Sequence, residues 1–272
     1  MTTWNDKLLQ NPHEVADKRT RVQKMFAAIA PSYDINNRLH SLWMDQRWRK
    51  RAVKLAELNR DDLVVDVACG TGDLSLMFLS FLSGLNLPHW PQRNRVLGID
   101  FTYEMLPIAS EKAENWGNDI LCGGTELSES WSRCVKFING DAQSLPLPDQ
   151  SADVVSIAFG IRNVQDVPTA LREFHRILRP GGRVIILEFS LPTNPILRGL
   201  YNFYFRKILP RTATLISGDK TGAYKYLPES VNTFIGREQM VRMMQEAGFE
   251  RIEQFPLTFG VCVCYRGFKM TR

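Results

Sequence analysis

The chain has 272 residues, 44% of them hydrophobic, which is enough for one sizeable core and about one large domain. A disulfide-stapled mini-protein and a disordered tail are both excluded. Lys and Arg number 34 against 29 Asp and Glu; the net charge of +5 suits an anionic surface or substrate, yet no dense basic stripe with interleaved aromatics marks a nucleic-acid path.

The N-terminal sequence MTTWNDKLLQNPHEVADKR lacks the basic, apolar, small-residue order of a secretory signal. Charged or polar residues interrupt every apolar run before transmembrane length. The expectation is a cytoplasmic protein whose membrane contact, where it has one, is peripheral. Val22, Met25, Phe26 and Ile29 repeat at helical spacing until Pro31, and a second helix is predicted from about Ser41 to Leu58. Between them SYDINNRLH is polar and turn-prone, which predicts a loop carrying Tyr33, Asp34 and Asn37 over a neighbouring pocket. Residues 1–61 thus read as a helical cover within a single domain.

From Asp62 the rhythm changes to short β-branched runs, LVVDV, RVLGI, VKFIN, DVVSIAF and GRVIILEF, separated by helical stretches. That pattern predicts a parallel sheet covered by helices, with residues 62–189 as its cofactor-binding core. In DVPTALREFHRILRPGG, Ala170, Leu171, Phe174, Ile177 and Leu178 line one helix face, and His175 lies among them with a structural role. Residues 190–272 hold the aromatic-rich helical stretch ILRGLYNFYFRKILP, then a helix near Arg237 to Ala247. Two closely joined strands, RIEQFPL and FGVCVCYRGFK, follow, and their short connection permits only an antiparallel pair. Ser83 to Asn94 and Gly117 to Arg133 read as surface loops. Cys69, Cys122, Cys134, Cys262 and Cys264 show no CxxC spacing, so neither a metal nor a disulfide is expected.

The strongest chemical signal is LVVDVACGTGDLS, a buried strand opening through Gly70, Thr71 and Gly72 into a helix. A dinucleotide fingerprint would need a third glycine where Asp73 stands, which argues against NAD or FAD. Asp73 also places negative charge where a phosphate would bind, so a cationic or phosphate-free ligand is the better guest, and S-adenosylmethionine has both properties. Asp100, ending the second strand, is positioned to accept from both ribose hydroxyls. Asp141 and the Ala142 N–H, after the third strand, suit an adenine amine and a ring nitrogen. Beyond the fourth strand, Arg162 offers a planar cationic fork for a developing phenolate and Asn163 an amide to orient a ring or a water; a structural salt bridge is the competing role for Arg162.

The combination DVACGTGDLS, GIDFTYEMLPIA, GDAQSLPLPD, AFGIRNVQD, LREFHRILRPGG and LEFSLP resembles the ubiquinone and menaquinone biosynthesis C-methyltransferase family, over about Val22 to Lys269. The resemblance implies a Rossmann-like α/β fold with a seven-stranded, mostly parallel sheet whose last strand is antiparallel. It also implies S-adenosylmethionine as methyl donor and a prenylated quinol, most readily demethylmenaquinol, as acceptor. Thr71, Asp100, Asp141 and Ala142 carry over as cofactor contacts, Asp66 and Gly70 to Gly72 as the residues shaping the turn, and Arg162 and Asn163 as substrate-side residues. Tyr33 or Asp34 on the cover is the expected contributor to proton removal. Ile196, Leu197, Leu200, Phe203, Tyr204 and Phe205 suit an entrance for a prenyl tail, with Arg198, Arg206, Lys207 and Arg211 facing lipid headgroups at an anionic membrane, and a second copy of the chain is an admissible partner. Three rivals stand beside this reading: a methyltransferase acting on RNA or a soluble phenol, an NAD-dependent reductase, and a nonenzymatic adaptor.

Overall fold

A computed structural model describes residues 3–83, 95–120 and 134–271. Seven strands form one sheet in the order β3-β2-β1-β4-β5-β7-β6. They are β1 (Val64–Val67), β2 (Val96–Asp100), β3 (Val135–Asn139), β4 (Ala152–Ala158), β5 (Leu178–Phe189), β6 (Glu250–Leu257) and β7 (Cys262–Phe268). β1 to β5 pair in parallel, and β7 runs antiparallel to both β5 and β6, as the short connection at Thr258–Gly260 requires. Strand order reverses between β1 and β4, which opens a crevice beyond their carboxyl ends, the usual ligand position in such sheets.

Helices cover both faces. α4 (Asp73–Ser83) and α5 (Met105–Ile120) follow β1 and β2, and α6 (Val167–Ile177) follows β4. The α6 face predicted from periodicity, Ala170, Leu171, Phe174 and Ile177, is fully buried, and Asp166 caps the helix by accepting from Thr169 N–H. α10 (Arg237–Glu246) lies beside α6, with Met240 and Met244 in the same core. His175 packs edge-on against Phe249, in the structural position expected of it. α5 runs on through residue 120, into the stretch read as a loop; residues 84–94 and 121–133, the rest of the two predicted loops, lie outside the described residues.

The cover departs from expectation. Besides α1 (Lys18–Ile29), SYDINNRLH is a helix, α2 (Tyr33–Ser41), not a loop. The second predicted helix begins later, as α3 (Met44–Leu55), because Leu42 and Trp43 break the chain with positive φ. The physical reason is an inverted face: Tyr33, Asn36, Asn37 and His40 follow the i, i+3, i+4, i+7 spacing of a helix and line an internal cavity, while Ile35, Leu39 and Leu42 face outward. A third core cluster ties α1 to the helices after β5, α7 (Pro195–Phe203), α8 (Leu209–Ser217) and α9 (Ala223–Asn232), with a π turn at Tyr204–Ile208 between α7 and α8. Trp4 stacks on Tyr226 at 4.5 Å, and Gly222, at φ +88°, lets the chain pass where a Cβ would stand 3.0 Å from Trp4 O.

Candidate functional site

Two cavities open at the switch point, and three side chains, Phe26, Tyr33 and Phe159, stand in the walls of both. The smaller is bounded by Gly70, Asp100, Phe101, Asp141, Ala142 and Asn163 among others. Asp100 ends β2; its carboxylate accepts from Gly70 N–H at 2.8 Å and Thr102 N–H at 2.7 Å. Burial pushes this carboxyl upward and the two N–H bonds oppose it. Each oxygen has spent one lone pair on the loop, so each retains one for a ligand hydroxyl. At Gly70, φ +55°, a Cβ would project into space whose nearest atom is Tyr33 Cε1 at 4.0 Å, so the loop leaves room beside Asp100. These features fit a nucleoside whose ribose lies on Asp100 and whose base lies toward Asp141.

The other residues of the first motif do a different job. Asp66 lies beneath the loop and in neither cavity wall; it accepts from Ser75 Oγ at 2.6 Å and Ser156 Oγ at 2.7 Å, and burial pushes its pKa up to about 6. Gly72 lets α4 approach Ala109 and Phe137, where a Cβ would stand at 3.1 Å. Thr71 donates to Asp34 Oδ1 at 2.6 Å and receives Lys112 Nζ on its carbonyl at 3.1 Å. Asp66, Thr71 and Gly72 therefore shape the turn, and none of the three stands in the wall of either cavity. Asp73 is buried, yet the charge of Arg49, with Arg38 and Lys112 paired to it at 3.0 and 2.6 Å, holds its carboxyl well below the usual range.

The larger cavity is lined by α1 to α3 and the segment 201–227, with aromatic walls from Trp48, Phe159, Phe189, Tyr201, Phe205 and Tyr226. Arg162, 4% exposed, reaches this wall. Its Nη1 donates to Glu188 Oε1 at 2.6 Å and Phe159 O at 2.7 Å, so the salt bridge anticipated as its rival role is present together with the cavity position. Asn163 borders the smaller cavity, with its amide fixed by Tyr226 Oη donating to Oδ1 at 2.9 Å and Nδ2 donating to Phe159 O at 3.3 Å. Burial raises the Tyr33 phenol, opposed by Asn37 and the cationic Arg49 and Arg162, which favours the neutral hydroxyl. Asp34 is in neither wall; it is held by Thr71 and by Lys112 at 2.7 Å.

Sequence reasoning did not find Arg49, Trp48, Glu188 or Tyr226. Arg49 pairs with Asp45 at 2.7 Å and lies 5.2 Å from the Phe159 ring centroid, giving the cavity a second buried guanidinium. The available signal was an arginine and a tryptophan on the buried side of a helix otherwise rich in basic residues, at Trp48-Arg49. Among the described residues no His, Cys, Asp and Glu cluster could hold a metal ion.

The model of the ubiE/COQ5 methyltransferase family matches residues 14–269. A ubiquinone/menaquinone biosynthesis C-methyltransferase of Citrifermentans bemidjiense is 39% identical over 257 residues, covering 94% of this chain and 100% of its own. A demethylmenaquinone methyltransferase of Thermus thermophilus is 42% identical over 243 residues, 89% of this chain and 99% of its own. Among solved structures, a possible histamine N-methyltransferase of Thermotoga maritima superposes with TM-score 0.56 at 19% identity, covering 91% of this chain and 99% of that one. A similarity that low speaks for the fold alone, a methyltransferase sheet.

Proposed function

We propose a function on one plain premise: the chain belongs to the ubiE/COQ5 methyltransferase family. It is a methyltransferase that moves a methyl group from S-adenosylmethionine to a ring carbon of a prenylated quinol, a demethylated naphthoquinol in the first place. The observation that carries this reading is the pair of cavities meeting at Phe26, Tyr33 and Phe159, the smaller glycine-edged and the more polar of the two, the other aromatic with a buried cation. When bound, S-adenosylmethionine supplies an electrophilic methyl on a charged sulfur. Asp100 holds the sugar, and Asp141 with Ala142 N–H holds the base.

On the acceptor side, the Arg162 guanidinium lowers the cost of charge on a quinol oxygen and so raises electron density at the adjacent carbon. Tyr33 donates a hydrogen bond between the two cavities, and Asn163, immobilised by Tyr226 and Phe159, fixes the approach. Asp34 contributes from behind, by holding Thr71 and Lys112 against the loop. Holding two reactants in line can account for up to about 7–11 kcal/mol of barrier reduction. A methyl-transfer assay with reduced naphthoquinol and benzoquinol acceptors and product mass analysis tests the assignment. A carbon-methylated naphthoquinol is the expected product; methylation of benzoquinol alone, or of oxygen, would overturn the choice.

The prenyl tail calls for contact with lipid. Ile196, Leu200 and Phe203 on α7 are 72, 63 and 61% exposed, and Leu215 on α8 is 85% exposed, whereas Tyr201 and Phe205 of the same stretch turn into the cavity. No helix among the described residues is long and apolar enough to cross a membrane. We place the apolar side of α7 and α8 on the surface of an anionic bilayer, as an amphipathic face lying in the interface. Flotation with vesicles should carry the protein upward, and replacing Leu200 and Phe203 with Ser should reduce that; an unchanged distribution would remove this part of the reading.

A further inference from the structure

The adenine end of the smaller cavity already has an occupant. The Arg19 guanidinium lies over the Phe101 ring, 4.4 Å from its centroid, and its Nη2 stands 2.8 Å from Asp141 Oδ2. A flat, nitrogen-bearing group stacked on Phe101 and donating to Asp141 is what an adenine base would be in that place, since bases stack on aromatic faces and the exocyclic amine is a donor. Phe101 directly follows Asp100, and Asp141 Oδ1 accepts from Gln143 N–H at 3.0 Å and from Gln143 Nε2 at 3.3 Å, whereas Oδ2 meets that amide only at 3.5 Å and is the more open oxygen for a ligand. Arg19, Asp100, Phe101, Asp141 and Ala142 all border the same cavity.

We infer that Arg19 holds the adenine place in the free protein and competes with the nucleoside for it, a specificity and access device that rests on the cofactor site described above. The backbone around Arg19 stays put: Arg19 N–H donates to Gln165 Oε1 at 3.1 Å and Lys18 Nζ to Val164 O at 2.7 Å. The side chain is 52% exposed and has solvent to swing into. Admission of the base thus requires a rotamer change of one side chain, with α1 left in place. A half-exposed ion pair and an exposed cation–π contact are each weak, so releasing them should cost the nucleoside about three- to tenfold in affinity.

Calorimetric titration of the full chain with S-adenosylhomocysteine tests this. Arg19→Gln should bind about three- to tenfold more tightly than wild type at low salt, and the advantage should shrink toward about 1 M salt, where charges are screened within roughly 3 Å. A purely structural role for Arg19 would not give a gain that salt removes. Asp100→Asn is the control for the site itself, with an expected loss of about 100-fold for charge-assisted bonds to two hydroxyls. If Asp100→Asn weakens binding while Arg19→Gln binds equally or less tightly, Arg19 is not a competitor and the site stands. If wild type shows no uptake, or Asp100→Asn binds as wild type does, the site assignment fails and the inference falls with it.

Discussion

In the smaller cavity the polar groups come from strand ends and the loops that follow them: Gly70 after β1, Asp100 at the end of β2, Asp141 after β3 and Asn163 after β4. The larger cavity draws its walls from α1, α2, α3, the β4 and β5 ends, and the helices at 201–227. The first is fixed by backbone, with loop N–H groups held on the Asp100 carboxylate. The second is fixed by side chains packed on side chains and by two buried ion pairs, Arg162–Glu188 and Arg49–Asp45. A cavity made of backbone serves a cofactor that does not vary, whereas a cavity made of side chains can be reshaped for another ring or tail without disturbing the sheet.

The sharpest way to break this contrast is at Arg162. Arg162→Met leaves Glu188, 1% exposed, with an uncompensated charge, and should destabilise the fold by about 3–5 kcal/mol as well as lower turnover by about 10²–10³-fold. Adding Glu188→Gln removes the stranded charge, while its amide oxygen still accepts from Phe189 N–H, the 2.7 Å bond now made by Glu188. Urea unfolding should then recover most of the stability, and methyl transfer should remain low. Recovery of turnover with stability would mean that Arg162 serves the fold alone, and the larger cavity would have lost its catalytic cation.

The same contrast explains how much could be read from residues in order. The sheet, its reversed strand, α6 and the turn at Gly70 to Gly72 follow from contiguous patterns, because each is specified by neighbours in sequence. That Gly70, Asp100, Asp141 and Ala142 border one cavity was legible for that reason: a strand end is a local signal. The loop reading of SYDINNRLH failed because α2 turns its polar face toward an internal cavity, so its composition imitates a turn while its spacing is helical. The Arg162–Glu188 pair spans 26 residues and the Asn163–Tyr226 bond 63, and no periodicity carries contacts of that separation. Arg19 reaches Asp141 from the cover, far away along the chain, and only the assembled crevice brings them together.

A smaller effect sharpens the other side of the comparison, where Asp66 supports the cofactor loop without touching the ligand space. Its pKa is pushed up to about 6 by burial, against 3.8 for the free side chain, with Ser75 and Ser156 hydroxyls opposing the shift. Between those values the native state holds a proton that the unfolded chain has released, so stability falls as pH rises. The contribution is complete below about pH 3.8 and gone above about pH 6; between pH 5 and pH 7 it amounts to roughly 1–1.5 kcal/mol. Asp66→Asn has no such proton to lose, so its urea-unfolding free energy should change less steeply over that interval, by about that amount, relative to wild type. Parallel curves for the two proteins would mean that Asp66 ionises alike in the folded and unfolded chain, and the loop under the cofactor would then rest on an ordinary carboxylate. A flattened curve with S-adenosylhomocysteine affinity preserved would instead separate the residue that builds the turn from Asp100, to which we assign the grip on the ligand.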